Sequence, residues 1–265
     1  MSISKSVEEM NIYGVTVIGK FLSDEQIAEF KNDLEKKKQE DIEEFGEEHL
    51  LEFDYEHVRD LGRFGGIYYK LLENPILNNY INNILNDKAV VHSYNAIINH
   101  QKHSSMVGYQ FHRDQPFFKD TRTSVIVMIP LVDYSNENGS TEYVPTTHLF
   151  EKIPSEEFMK EHYVSTSGKA GEAYMVDAAL WHRAGINKTD RARPMIVIKY
   201  TLAPFKQQVD YVFSSGRMLD SASDLVKQRL GWNVRVCQNY VEFREPGHKR
   251  KFKSGQYDMS NVYIR

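Results

Sequence analysis

Residues 89–100 read AVVHSYNAIINH, and the reading of this stretch decides the fold. β-branched and aromatic residues dominate it, charged residues are missing, and its apolar positions follow no helical spacing, so it reads as a strand. Five more runs of the same texture follow: VGYQFHRD (107–114), TSVIVMIPLV (123–132), STEYVP (140–145), GEAYMVD (171–177) and PMIVIKYTL (194–202). Polar turns punctuate them at Asn138-Gly139, Gly168 and Gly185. Six such runs with no helical pattern between them predict a sandwich or jelly roll.

Outward from this core the texture changes on both sides. Before about residue 88 the chain reads as mostly helical, after a short entry strand over Gly14 to Ile18. Ser23 predicts a helix start, with Gln26 as its capping-box partner and Leu22 and Ile27 as a hydrophobic staple. Ile27, Phe30 and Leu34 continue it at helical spacing, and the charged run KKKQEDIEEFGEEH (36–49) reads as a solvated helix face or loop. Asn74-Pro75 opens a second helix with an apolar stripe of Leu77, Tyr80, Ile81, Ile84 and Leu85. Beyond Ala203 a helix is expected near Ser221 to Leu230, followed by a polar tail. The expectation is one domain over 1–265: a helical part to about 88, a β core over about 89–203 and an extension from about 204.

The balance of 33 basic and 37 acidic residues, net −4, argues against nucleic acid and for a small-molecule substrate. The single cysteine, Cys237, allows no internal disulfide; the N-terminus has no signal-peptide core, and no apolar run reaches membrane-spanning length. A cytoplasmic protein with no membrane partner is expected.

The chemistry centres on YQFHRDQ (109–115). In a strand, His112 and Asp114 project to one face at roughly 6.5 Å spacing while Arg113 points away. His182, after a β-like run and Trp181, is the best third ligand. Two histidines and one carboxylate can take one face of an octahedral iron and leave three positions open. Arg193 lies eleven residues after His182, at the start of the next strand, where its guanidinium could grip a carboxylate in the same barrel mouth. Arg191 competes for that role. Asn95 and Asn99 share one face if 89–100 is a regular strand, and Asn95 could touch substrate or cosubstrate, or simply bond backbone. Tyr109 reads as core. His92, His100, His103 and His148 lack partners at ligand spacing and read as hydrogen-bonding or loop residues.

These residues resemble the phytanoyl-CoA dioxygenase-like branch of the iron(II)- and 2-oxoglutarate-dependent oxygenases. The matching pieces are FHRD (111–114), IPLVDYSNENGSTEYVPTTH (129–148) and WHRAGINKTDRARP (181–194), and the resemblance spans roughly residues 12–203, including the entry segment GVTVIGKFLSDEQIAEF. It implies a mainly β core with flanking helices, a distorted double-stranded β-helix of cupin-like, jelly-roll type. His112, Asp114 and His182 would then hold Fe(II), and Arg193 the distal carboxylate of 2-oxoglutarate. Asn99 would lie near the proximal carboxylate. O2 and 2-oxoglutarate would be cosubstrates, with succinate and CO2 released as an unactivated C–H bond is hydroxylated. Met195 departs from the pattern, since many relatives carry a hydroxyl residue two positions beyond the arginine; VPTTH (144–148) departs from a commoner glycine-serine corner. Asp114 is present, whereas halogenating relatives lose that carboxylate, so hydroxylation or desaturation is favoured.

Two other classes fit the β texture. One is a non-redox metal-dependent hydrolase or isomerase on a cupin-like barrel, which would not require Arg193. The other is a catalytically silent jelly-roll binding module, which the intact residues at 112, 114, 182 and 193 disfavour.

Overall fold

The structure is a computed structural model, and it describes residues 2–100, 108–236 and 239–244. Cys237, His103 and the basic tail segment GHKRKFKSG (247–255), read from sequence as a potential anion contact or a solvated edge, lie outside the described residues. Among the described residues nine strands form two antiparallel sheets: β1 (Val15–Lys20), β2 (His57–Val58), β3 (Val90–Asn99), β4 (Ser124–Pro130), β5 (Glu142–Tyr143), β6 (Val164–Ser165), β7 (Glu172–Asp177), β8 (His182–Arg183) and β9 (Arg193–Thr201). The larger sheet has the order β1-β7-β4-β9-β3-β2 and the smaller one β6-β5-β8.

Strand alternation divides the larger sheet into two faces. One carries Tyr94, Ala96 and Ile98 of β3, Val125, Val127 and Ile129 of β4, and Ile196, Ile198 and Tyr200 of β9, all packed into the main core with Phe30, Leu34, Leu72, Leu77 and Ile81 of the helices. The other carries Ile126, Met128 and Val197, which pack with Val176, Ala178 and Leu180 in a second cluster. The register sets Asn95 opposite Val197, Ile97 opposite Met195 and Asn99 opposite Arg193. The expected placing of Asn95 and Asn99 on one face therefore holds, and Arg193 shares that face.

The helix Asp24–Phe45 begins as expected, with the Gln26 N–H donating to Ser23 Oγ at 3.2 Å and the Ser23 N–H to Gln26 Oε1 at 2.9 Å. The charged run is not wholly solvated. Lys38 and Asp41 are buried, Lys38 Nζ donating to the Tyr55 carbonyl and Asp41 pairing with Arg63 at 3.1 Å, and Gly46 (φ 84°) breaks the helix. Asn74 caps the helix Pro75–Ile84 through two backbone N–H groups, and Ser223 caps Asp224–Arg229. Among the described residues no helix is long and apolar enough to cross a membrane.

Residues 108–114 of the run VGYQFHRD depart from expectation. They form no strand: His112 makes an isolated antiparallel bridge with His182, and Asp114 lies outside any ladder. The Gln110 carbonyl is taken by the His112 ring rather than by a neighbouring strand, and Pro116 brings no N–H with which to extend a ladder.

Candidate metal and cosubstrate site

The bridge does the work expected of a strand. His112 and His182 exchange two backbone hydrogen bonds, each 2.9 Å, and directly opposed residues of an antiparallel pair project to the same side. Their rings lie 4.5 Å apart, centroid to centroid. Each Nδ1 is bonded to the carbonyl two residues before it, His112 to Gln110 at 2.8 Å and His182 to Leu180 at 2.9 Å. A carbonyl can only accept, so both rings hold their proton on Nδ1 and present the Nε2 lone pair, the form a metal needs. Both Nε2 atoms face Asp114 Oδ1, at 3.5 Å from His112 and 3.8 Å from His182, and the three ligand atoms all lie within 4.8 Å of one another. This donor set of two imidazoles and a carboxylate, with ring tautomers already fixed, fits a divalent first-row ion with open positions.

Asp114 is placed by backbone on both sides. Its N–H donates to the Ala178 carbonyl at 2.9 Å, and its own carbonyl accepts from Lys199 Nζ at 2.6 Å. The turn leading to His182 is braced by Asp177, which pairs with Arg122 at 2.8 Å and accepts the Ala179 N–H. Burial would raise the Asp114 carboxyl, but the His112 ring, which donates to it when protonated, and the neighbouring His182 and Lys199 hold it well below the usual carboxylate range. Burial, reinforced by His112, pushes His182 down against the pull of Asp114 and so favours its neutral ring. His112 is raised: burial opposes, and the Asp114 and Gln110 bonds prevail.

A cavity of about 850 Å³ opens beside the three ligands, lined among others by Asn95, Ile97, Ile126, Met128, Met195, Val197 and Lys199, with Asp54, His57 and Arg59 in its wall. One step along the same strand faces stand Arg193 and Asn99, each 1% exposed. Arg193 Nη1 donates to the Tyr134 hydroxyl and the guanidinium lies 4.8 Å from the Tyr134 ring centroid, while its Nε and the Asn99 Oδ1 have no partner among the described residues. A buried cation with no ion-pair partner among the described residues and an orphaned N–H suits an anionic ligand. Arg191, the competitor, is exposed and lies before the strand. Asn95 faces the cavity, but its Oδ1 also accepts the Asp60 N–H at 3.1 Å. Tyr109 is not core: it is half-buried with its hydroxyl bonded to Asn99. His92 and His148 bond the backbone carbonyls of Lys206 and Asn11, in keeping with their non-ligand reading, and His100 packs against Tyr55.

Sequence reasoning missed three residues. Lys199 was findable, as a lone charge in the apolar run MIVIKY on the face of Arg193. Tyr134 gave no signal, because a turn after β4 brings it to Arg193. Glu56, buried in the cavity wall with no partner for its Oε1 among the described residues, sits in no recognisable pattern.

The profile of the phytanoyl-CoA dioxygenase (PhyH) family matches residues 10–195. The chain belongs to that family. Membership makes it an enzyme of the iron- and 2-oxoglutarate-dependent oxygenase class. An uncharacterized protein of Mycobacterium tuberculosis, Rv1501, is 29% identical over 195 residues, 71% of each chain. The dioxygenase trt7 of Aspergillus terreus is 22% identical over 152 residues, and this chain spans about half its length (52%). Among solved structures, AviO1 of Streptomyces viridochromogenes superposes with a TM-score of 0.60 at 22% identity, over 76% of this chain and 95% of that one. The epimerase SnoN, solved with Fe3+, alpha ketoglutarate and nogalamycin RO, gives 0.58 at 18% identity, over 76% and 84%. The fold is the family's distorted double-stranded β-helix with helices packed outside.

Proposed function

We propose that the protein is an iron(II)- and 2-oxoglutarate-dependent dioxygenase that hydroxylates an unactivated C–H bond of a small molecule, with His112, Asp114 and His182 as metal ligands and Arg193 as the anchor of the cosubstrate's distal carboxylate. The observation that carries this reading is the convergence of two Nε2 lone pairs and one carboxylate oxygen at a cavity beside a buried arginine that has no ion-pair partner among the described residues. When bound, iron with 2-oxoglutarate supplies the oxidising power, oxygen being consumed as the cosubstrate loses CO2 to give succinate.

The chain's own residues supply placement. The Gln110 and Leu180 carbonyls keep both imidazoles facing the ion, and Lys199 steadies the backbone of Asp114. Arg193, with Asn99 beside it, orients the cosubstrate along the strand face. Ile126, Met128 and Val197 give the cavity a dry wall that keeps water from competing with substrate. Asn95 stands on the same wall, where its free N–H groups can reach a substrate. A hydrolase or isomerase needs no arginine at 193, and a silent binding module needs no preset histidine tautomers. A cytoplasmic location completes the reading and rests on the single cysteine.

The test is anaerobic absorption spectroscopy of the metal-free protein with iron(II) and then 2-oxoglutarate. A visible metal-to-ligand charge-transfer band that needs both additions supports chelation, and succinate release with a substrate product heavier by one oxygen supports hydroxylation. A product of unchanged mass would assign an epimerase instead. Iron binding with no band would end the 2-oxoglutarate reading.

A further inference from the structure

Tyr134 is fully enclosed, and its hydroxyl is engaged in an unusual way. It accepts from Arg193 Nη1 and donates to the Met195 thioether, with Oη 2.7 Å from Sδ; the same sulfur lies 3.8 Å from Nη1. A thioether is a weak acceptor, so a buried phenol O–H and a guanidinium N–H both spend a strong donor on a poor partner. Of the three residues only Met195 also lines the cavity, and its side chain is flexible. Backbone bonds exchanged between Tyr134 and Gly168 (2.9 and 3.3 Å) fix the tyrosine, so the movable member is the methionine.

We infer that the Tyr134 hydroxyl is the second donor to the distal carboxylate of 2-oxoglutarate, and that Met195 is a placeholder whose sulfur yields both donors when the carboxylate arrives. The position two beyond Arg193 offers no hydroxyl, and Tyr134 delivers one to the same guanidinium from another part of the chain. This rests on the function proposed above. Carboxylate oxygens accept both donors far better than sulfur does, so exchanging partners favours the cosubstrate-bound state.

The test is the anaerobic charge-transfer titration, with 2-oxoglutarate and, separately, with pyruvate, which chelates metal through the same 2-oxoacid group but lacks the distal carboxylate. Tyr134→Phe should raise the concentration for half-development with 2-oxoglutarate roughly ten- to hundred-fold and leave that for pyruvate unchanged. Equal losses for both ligands, or none for 2-oxoglutarate, would overturn the assignment. Should Tyr134→Phe not fold, Met195→Leu keeps the shape and removes the sulfur acceptor; it should tighten 2-oxoglutarate a few-fold, and weaker or unchanged binding would overturn the assignment. If the wild-type protein gives no band with either ligand, the proposed function fails first. A wild-type band that Tyr134→Phe leaves untouched refutes only the role of Tyr134.

Discussion

The two faces of β9 make opposite uses of one strand. Ile196, Ile198 and Tyr200 are wholly buried against the helices and touch nothing polar that the chemistry needs. Arg193, Met195 and Lys199, interleaved with them, are also buried, yet carry two formal charges and a thioether into the site. Burial alone therefore does not separate scaffold from function here. Along this strand the type of atom buried does, since a buried charge needs a partner.

The comparison breaks most sharply at the ligands. His112→Ala or His182→Ala should abolish the iron-dependent charge-transfer band and all succinate formation, with a circular dichroism spectrum like that of the wild type. Retained turnover in either would remove the ligand assignment. On β9 itself, Arg193→Ala should raise the 2-oxoglutarate requirement by about a hundred-fold or more, with iron binding kept, because hydrogen bonds to a charged partner are lost. Arg191→Ala should change nothing, and a reversal of these two results would hand the role to Arg191.

The packing face should answer differently. Ile198→Ala should cost about 2–5 kcal/mol in urea unfolding, through a cavity in the main core, while iron and 2-oxoglutarate bind the folded fraction as before. An equal loss of affinity would mean the faces are not independent.

The smallest effect concerns Glu56, at the sheet's other side. Burial pushes its carboxyl up to about 7, against the His100 backbone N–H and the charges of Arg193 and Lys38. Between about 4.5 and 7 the native state thus keeps a proton that the unfolded chain has released, so this group's contribution to stability falls as pH rises through that window. Glu56→Gln should flatten the fall and gain on the order of 1–2 kcal/mol at pH 8. Calorimetry at several pH values checks it, and parallel slopes would clear Glu56.

Much of this comparison is legible in the amino-acid sequence. Period-two alternation in 89–100 puts Asn95 and Asn99 on one face because a long strand in mid-sheet obeys the pleat, and the pairing with β9 adds Arg193 to it. The capping box at Ser23 and the Asn74-Pro75 start were legible because caps are local. The route by which His112 and Asp114 come together was misread as a strand. An isolated bridge to His182 and a lysine from β9 place them, and such non-local contacts leave no periodic trace. Tyr134 and Glu56 escaped for the same reason, and the inward turn of Lys38 and Asp41 was hidden in a run whose average is polar.

The mutual backbone bonding of His112 and His182 has one more consequence. Two donors already clasped to each other behave as a single chelating unit whose effective concentration is set by the fold, so an arriving ion orders almost nothing. Affinity then owes little to coupled folding: a chelator lowers the melting temperature only by mass action and leaves a protein that is still folded. In such a site metal exchange is a matter of coordination chemistry at a finished receptor, and the choice among competing divalent ions falls to cellular supply.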